Sequence, residues 1–152
     1  MTFSFRMATA AESDQIKQIV QAQGRYIKDW ESCPILLLCA TLNRVIGWVR
    51  HWRLSGDRHA IMSLTVDEAF RGRELGLALV FQLIKQAVDT ECWVLDCKAS
   101  LRGYYARLGF VEMDRAMAPE LLDETDDPDS ICMTARRAEV LQTGGREIEA
   151  IR

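Results

Sequence analysis

At 152 residues, with 49% hydrophobic and 27% charged residues, the chain has the length and composition of one globular domain with its own core. A formal net charge of -3 argues against a nucleic-acid partner held by bulk electrostatics. The apolar stretch at residues 34–42 is too short to span a bilayer, and no basic-then-apolar leader opens the chain. The five cysteines include no CxxC pair and there are only two histidines, so neither a disulfide frame nor a metal centre is expected and a reduced, cytoplasmic protein is.

Residues 2–8 alternate, with Phe3, Phe5 and Met7 against Ser4 and Arg6, and predict a first strand with one buried face. Thr9 followed by Glu12 is a capping box that opens a helix with Ile16, Ile19 and Val20 on its apolar side and Gly24 as its stop. Residues 26–31 fit a short helix or a loop. The run 35–42 predicts a strand buried on both faces, and Asn43-Arg44 turns it into a second strand over 45–54, rich in Trp and Val. After the turn 55–58, a strand is expected over 60–66 and a long amphipathic helix over 73–90, with Gly76, Leu79, Val80, Leu83, Ile84, Ala87 and Val88 at helical spacing. A short strand over 92–97 must run parallel to the preceding one if that helix is a crossover. A helix over 100–108, a strand over 110–114, an acidic turn-rich segment over 119–129 and a last strand over 131–135 follow. Residues 136–152 lack a convincing apolar stripe and read as a loose tail or a partner-dependent helix.

The chemistry concentrates where the strand ending at Leu64, Thr65 and Val66 meets the turn Arg71-Gly72-Arg73-Glu74-Leu75-Gly76 and the helix behind it. A helix that starts on a basic, glycine-containing turn directs unpaired N–H groups and the positive end of its dipole at one spot, which suits phosphate. Motifs this short arise by chance, and an ordinary polar turn is the bland alternative. No Gly-x4-Gly-Lys-Ser/Thr loop or dinucleotide fingerprint is present. A second motif, Tyr104-Tyr105-Ala106-Arg107-Leu108-Gly109-Phe110, stands downstream.

The element order, the turn 71–76 (against Q/R-x-x-G-x-G/A) and the run 104–110 (against F/Y-Y-x-x-x-G-F) resemble the GNAT superfamily of N-acetyltransferases, over residues 3 to 136. The resemblance implies a mixed α/β domain over 1–137: a mostly antiparallel sheet with helices on both faces, and one parallel pair splayed to admit CoA. Residues 138–152 would form a C-terminal tail. It implies an enzyme moving an acetyl group from acetyl-CoA to the primary amine of a small molecule or peptide, by direct attack in a ternary complex. Main-chain N–H groups of residues 72–77, Leu77 included, would hold the pyrophosphate, and the open edge of Leu64, Thr65 and Val66 would hold the pantetheine arm. Tyr105 would protonate the departing thiolate; Tyr104 is expected to pack. Glu74 departs from the pattern, standing where the family usually has Gly, and a carboxylate beside a pyrophosphate is unfavourable.

An amine arrives as an ammonium ion at neutral pH, so a base is needed. Asp96, which follows three apolar residues, and His59, taken to stand at the mouth of its strand, are candidates, with Glu68, His51 and a water chain as alternatives. The acidic cluster between 120 and 129 fits a solvated loop or a lure for a cationic acceptor. A monomer and a homodimer both fit, and no nucleic-acid or membrane partner is expected. The competing function is a non-catalytic acyl-CoA-binding module.

Overall fold

Seven strands, β1 (Ser4–Met7), β2 (Ile35–Ala40), β3 (Arg44–Arg53), β4 (Arg58–Val66), β5 (Cys92–Lys98), β6 (Val111–Met113) and β7 (Ser130–Arg136), form one sheet in the order β1-β2-β3-β4-β5-β7-β6. The computed structural model describes residues 2–24, 30–121 and 128–146. Every neighbouring pair is antiparallel except β4 and β5. The expected parallel pair is therefore present, joined by the crossover helix α2 (Leu75–Gln86).

Helices cover both faces, and β2 shows why its sequence is a continuous apolar run. All six of its residues are buried. Leu36 and Leu38 face a core built with α2 and α3 (Arg102–Ala106), while Ile35, Leu37 and Cys39 face Ile16 and Val20 of α1 (Ala10–Ala22). The capping box forms as predicted: the Thr9 hydroxyl accepts from Glu12 N–H at 3.2 Å, and the Glu12 carboxylate accepts from Thr9 N–H at 3.0 Å. Glu12 also takes a two-point ion pair from Arg6 of β1, at 2.7 Å on each oxygen, so the helix start is tied to the strand before it.

Three expectations are corrected. The crossover helix is shorter than 73–90, because Glu74 adopts a left-handed conformation (φ 60°) that forbids an earlier start. It stops before Val88, which is 67% exposed and lies outside the apolar stripe. The β2–β3 connection places Leu42 as well as Asn43 at positive φ (63° and 61°), which lengthens the turn at the expense of the strand. Residues 137–146 are also ordered against the core. The helix α4 (Arg137–Glu139) continues as a π-helical turn over Val140–Gly144, with Val140 fully buried. A Cβ on Gly144 would stand 2.9 Å from Leu108 and 3.0 Å from Phe81, so close approach makes the contact where an apolar stripe does not. Arg137 donates to the Ile84 and Lys85 carbonyls at 3.1 and 2.8 Å, capping the end of α2.

Of the segment 26–31, read as a short helix or a loop, the described end enters a 3₁₀ turn, Trp30–Ser32, with Trp30 buried and its Nε1–H donating to Ser13 Oγ at 2.9 Å; residues 25–29 lie outside the described residues. So do Asp123, Glu124, Asp126 and Asp127 of the acidic segment. Among the described residues no helix is long and apolar enough to cross a membrane, and no three His, Cys, Asp or Glu side chains gather as a metal site would need.

Candidate active site

The parallel pair closes at one end and opens at the other. Arg58 to Ile61 of β4 pair in register with Cys92 to Leu95 of β5. Beyond Ile61 the two strands keep only their outer partners: β4 stays on β3 to Val66, and β5 stays on β7 to Lys98. Ser63, at φ 54°, sits in the irregularity that turns β4 at this point. The approach is tight, since a Cβ on Gly47 of β3 would meet the Thr65 carbonyl oxygen at 2.8 Å. The β5-facing edge of Leu64, Thr65 and Val66 is thus outside any ladder with β5, which leaves main-chain groups for a ligand to meet.

The turn after β4 is held from both sides. Asp67 Oδ1 accepts from Ala69 N–H at 3.1 Å, and Arg71 Nε donates back to the Val66 carbonyl at 3.0 Å. Gly72 (φ 81°) and Glu74 (φ 60°) bend the chain through left-handed conformations so that α2 begins at Leu75. Its first amides carry the positive end of the helix. Glu74 caps nothing with its side chain. Its carboxylate pairs with both Arg107 amino groups, Nη2 to Oε2 at 2.8 Å and Nη1 to Oε1, and this hydrogen bonding holds its pKa below the usual carboxylate value.

The second motif lies over the same turn. Leu77 N–H donates to the Tyr104 hydroxyl, whose oxygen would stand 2.5 Å from a Cβ on Gly76. Tyr104 and Tyr105 meet edge to face, 5.0 Å between ring centroids at 85°, and Tyr105 packs on Phe110 at 6.2 Å. Burial, with Tyr104 and the Cys97 thiol nearby, pushes the Tyr105 hydroxyl well above its ordinary pKa, so it stays protonated across the physiological range. Leu64, Val66, Arg71, Gly76, Tyr104 and Tyr105 all line one open cavity of about 480 Å³, within the size range of small-molecule sites.

The two base candidates lie elsewhere. Asp96 is on β5 beyond the paired segment, and its carboxylate holds Arg115 at 2.9 and 2.6 Å, with Arg115 also donating to Ser130 Oγ at 2.7 Å. Its neighbour Cys97 faces the core that contains Tyr105, so Asp96 projects from the other side of the sheet. His59 is not at the mouth of β4. It stands at the closed start, opposite Trp93, with Nδ1 2.9 Å from His51 Nδ1. The six residue steps from His59 to Thr65 span roughly 20 Å of extended strand. Glu68 is exposed at the start of the 3₁₀ turn Glu68–Phe70, and its carbonyl accepts from Arg71 N–H at 3.2 Å.

What sequence reasoning missed is the contribution of Arg107 and Tyr104 to the turn. Arg107 occupies a variable position of the second motif, where no pattern marks it, and Tyr104, at the motif's first aromatic position, is expected from sequence only to pack; the available signal was the carboxylate of Glu74, which a nearby cation would offset.

The profile of the Acetyltransferase (GNAT) family matches residues 5–110. A rice protein (Oryza sativa subsp. japonica), "Probable glucosamine 6-phosphate N-acetyltransferase 2", is 45% identical over 60 residues, 38% of this chain and 36% of that protein. The chain therefore matches only about a third of the length of this curated relative. Among solved structures, an acetyltransferase of the GNAT family from Staphylococcus aureus Mu50 superposes with a TM-score of 0.69 at 14% identity, covering 90% of this chain and 99% of that one. N-acetylglutamate synthase from Neisseria gonorrhoeae, solved with coenzyme A and N-acetyl-glutamate, superposes at 0.67 and 15% identity, over 90% of this chain and 35% of that one. At such identities the likeness is one of fold.

Proposed function

This chain belongs to the acetyltransferase (GNAT) family, and from that premise we propose that it is an enzyme transferring an acetyl group from acetyl-CoA to a primary amine in a ternary complex. One observation carries the proposal: the open β4 edge, the amide-rich start of α2 and a buried, protonated tyrosine all face a single cavity. Acetyl-CoA supplies the activated acyl group and a thiolate leaving group. The residues present suit it. Gly72 carries no Cβ to block main-chain donors, the N–H groups of residues 72–76 gather where α2 begins while that of Leu77 is taken by the Tyr104 hydroxyl, and Arg71 and Arg73 add positive charge.

In this proposal the N–H groups of the turn bind pyrophosphate and the edge of Leu64, Thr65 and Val66 binds the pantetheine arm. A main-chain N–H of that edge stabilises the negative charge that develops on the thioester oxygen. Burial keeps Tyr105 protonated in the working pH range, so it is available to hydrogen-bond the departing sulfur and pass it a proton as charge builds there, and it is then reprotonated from solvent. With Asp96 engaged by Arg115 and His59 at the closed end of the strands, the ammonium proton leaves through water in the cleft. A cytoplasmic location fits the five free cysteines.

The acceptor is an amine reached through the splay. Because the rice relative is named for glucosamine 6-phosphate, an amino sugar phosphate is the first acceptor to offer. The test is a screen of amino sugars, their phosphates, polyamines and peptide amines against acetyl-CoA with thiol-release detection. Acetyl transfer to at least one amine is expected. CoA binding by calorimetry, with no amine turned over across the panel, would instead favour the non-catalytic acyl-CoA module.

A further inference from the structure

A carboxylate on the turn that is to receive a pyrophosphate needs a reason to be tolerated, and the structure contains one. Glu74 is the residue immediately before α2, its φ of 60° is a conformation an L side chain rarely adopts, and its side chain makes no capping hydrogen bond to the helix it precedes. Both of its oxygens are instead taken by the guanidinium of Arg107, in a planar two-point pair. Arg107 directly follows α3, the short helix that carries Tyr105. The pair is about one-third exposed on each side, so its worth to folding is small. Its consequence is electrostatic and local. Paired in this way, the carboxylate's charge is offset beside the turn where the ligand's two phosphates would sit.

We propose that Arg107 is a positioning residue for the cofactor: by engaging Glu74 through both oxygens it turns that carboxylate aside and cancels its charge at the pyrophosphate turn. The inference rests on the reading of the turn as a CoA site. It assigns Arg107 no direct contact with the ligand; its effect passes through Glu74. A carboxylate within one helical turn of a doubly charged pyrophosphate, and no longer neutralised, is expected to weaken binding about tenfold.

The experiment is a four-variant set with free CoA as the probe, read by calorimetry on the full chain. Arg107→Gln is expected to bind CoA about tenfold more weakly at low salt, with the deficit shrinking as salt rises. Glu74→Gln binds at least as tightly as the unaltered protein. The double variant Glu74→Gln/Arg107→Gln returns to within about twofold of the unaltered protein, because the offending charge is gone. That rescue is the discriminating readout: a guanidinium that touched phosphate itself, or one needed only to hold α3, leaves the double variant as weak as Arg107→Gln alone. Such a result, or an unchanged affinity in Arg107→Gln, overturns the proposal. Should Arg107→Gln fail to fold, Arg107→Lys keeps the charge and is expected to bind nearly normally; a loss there equal to the full tenfold also overturns it. If the unaltered protein binds no CoA, the functional reading itself fails, and this inference with it.

Discussion

The two ends of β4 belong to one strand and have opposite fates. At its start, Arg58 to Ile61 are locked into a parallel ladder with β5, and the side chains there close the core: His59 on His51, with rings stacked 5.1 Å apart, and both against the fully buried Trp93. At its end the ladder with β5 stops, the backbone turns at Ser63, and Tyr105 and the start of α2 face a cavity. Where strands pair, backbone polar groups are taken up by each other and the titratable side chains are left to pack; where they part, backbone groups are left for a ligand to meet. Histidines attract notice as candidate bases, yet in this molecule they belong to the closed end.

The largest break in that contrast is expected from Tyr105→Phe. It keeps the packing on Phe110 and Tyr104 but removes the proton donor, so turnover is expected to drop by on the order of a hundredfold with CoA affinity unchanged. Stopped-flow measurement under conditions where chemistry limits the rate checks it; an unaltered rate constant removes Tyr105 from the mechanism.

Gly47→Ala attacks the backbone at the open end. The new methyl group would meet the Thr65 carbonyl at 2.8 Å, and since that atom is main chain it cannot swing away. A loss of about 2 kcal/mol in stability is expected, together with weaker CoA binding, readable by urea denaturation and calorimetry. A variant as stable as the parent would mean that β4 can yield at Thr65.

The closed end is expected to respond to acid. Burial, with His59 beside it, lowers the His51 imidazole from the usual 6.5 to about 4, and burial together with the Arg53 charge lowers His59 as well. A folded-state pKa below the unfolded one means that the unfolded chain takes up protons first, so this contribution to stability is intact above about pH 6.5 and is lost as the pH falls toward 4. The melting temperature is expected to drop by on the order of 5 °C over that window, and His51→Gln to flatten the dependence there. A parent protein whose melting temperature is level from pH 7 to 4.5 contradicts this account of the pair.

The smallest effect is expected from His59→Gln, with kcat changed by no more than about twofold. A larger loss accompanied by the disappearance of an acidic limb in the pH–rate profile would return His59 to the catalytic machinery.

Much of this architecture is legible in residues alone, and the reasons differ by element. The capping box at Thr9 and Glu12 is a local device, complete within four residues, and it forms as written. The apolar run of β2 specifies a strand covered on both faces because no residue in it tolerates water, and the structure buries all six. The crossover connection compels β5 to run parallel to β4. Residues 137–144 escaped notice because Val140 and a glycine approach, not a stripe of large side chains, make the contact.

For the site, the turn at 71–76 and the tyrosine pair were visible as motifs, since glycine and helix-start chemistry is a matter of local backbone. What Glu74 does was not. In sequence it is a misplaced charge. Only the fold brings Arg107, thirty-three positions away, onto both of its oxygens, because two motifs on different helices must close over one sheet opening before any charge on one can answer a charge on the other. Backbone conformation and burial pattern are decided within a few residues and can be read along the chain; the neutralisation of a charge depends on distance in space, and so belongs to the tertiary structure.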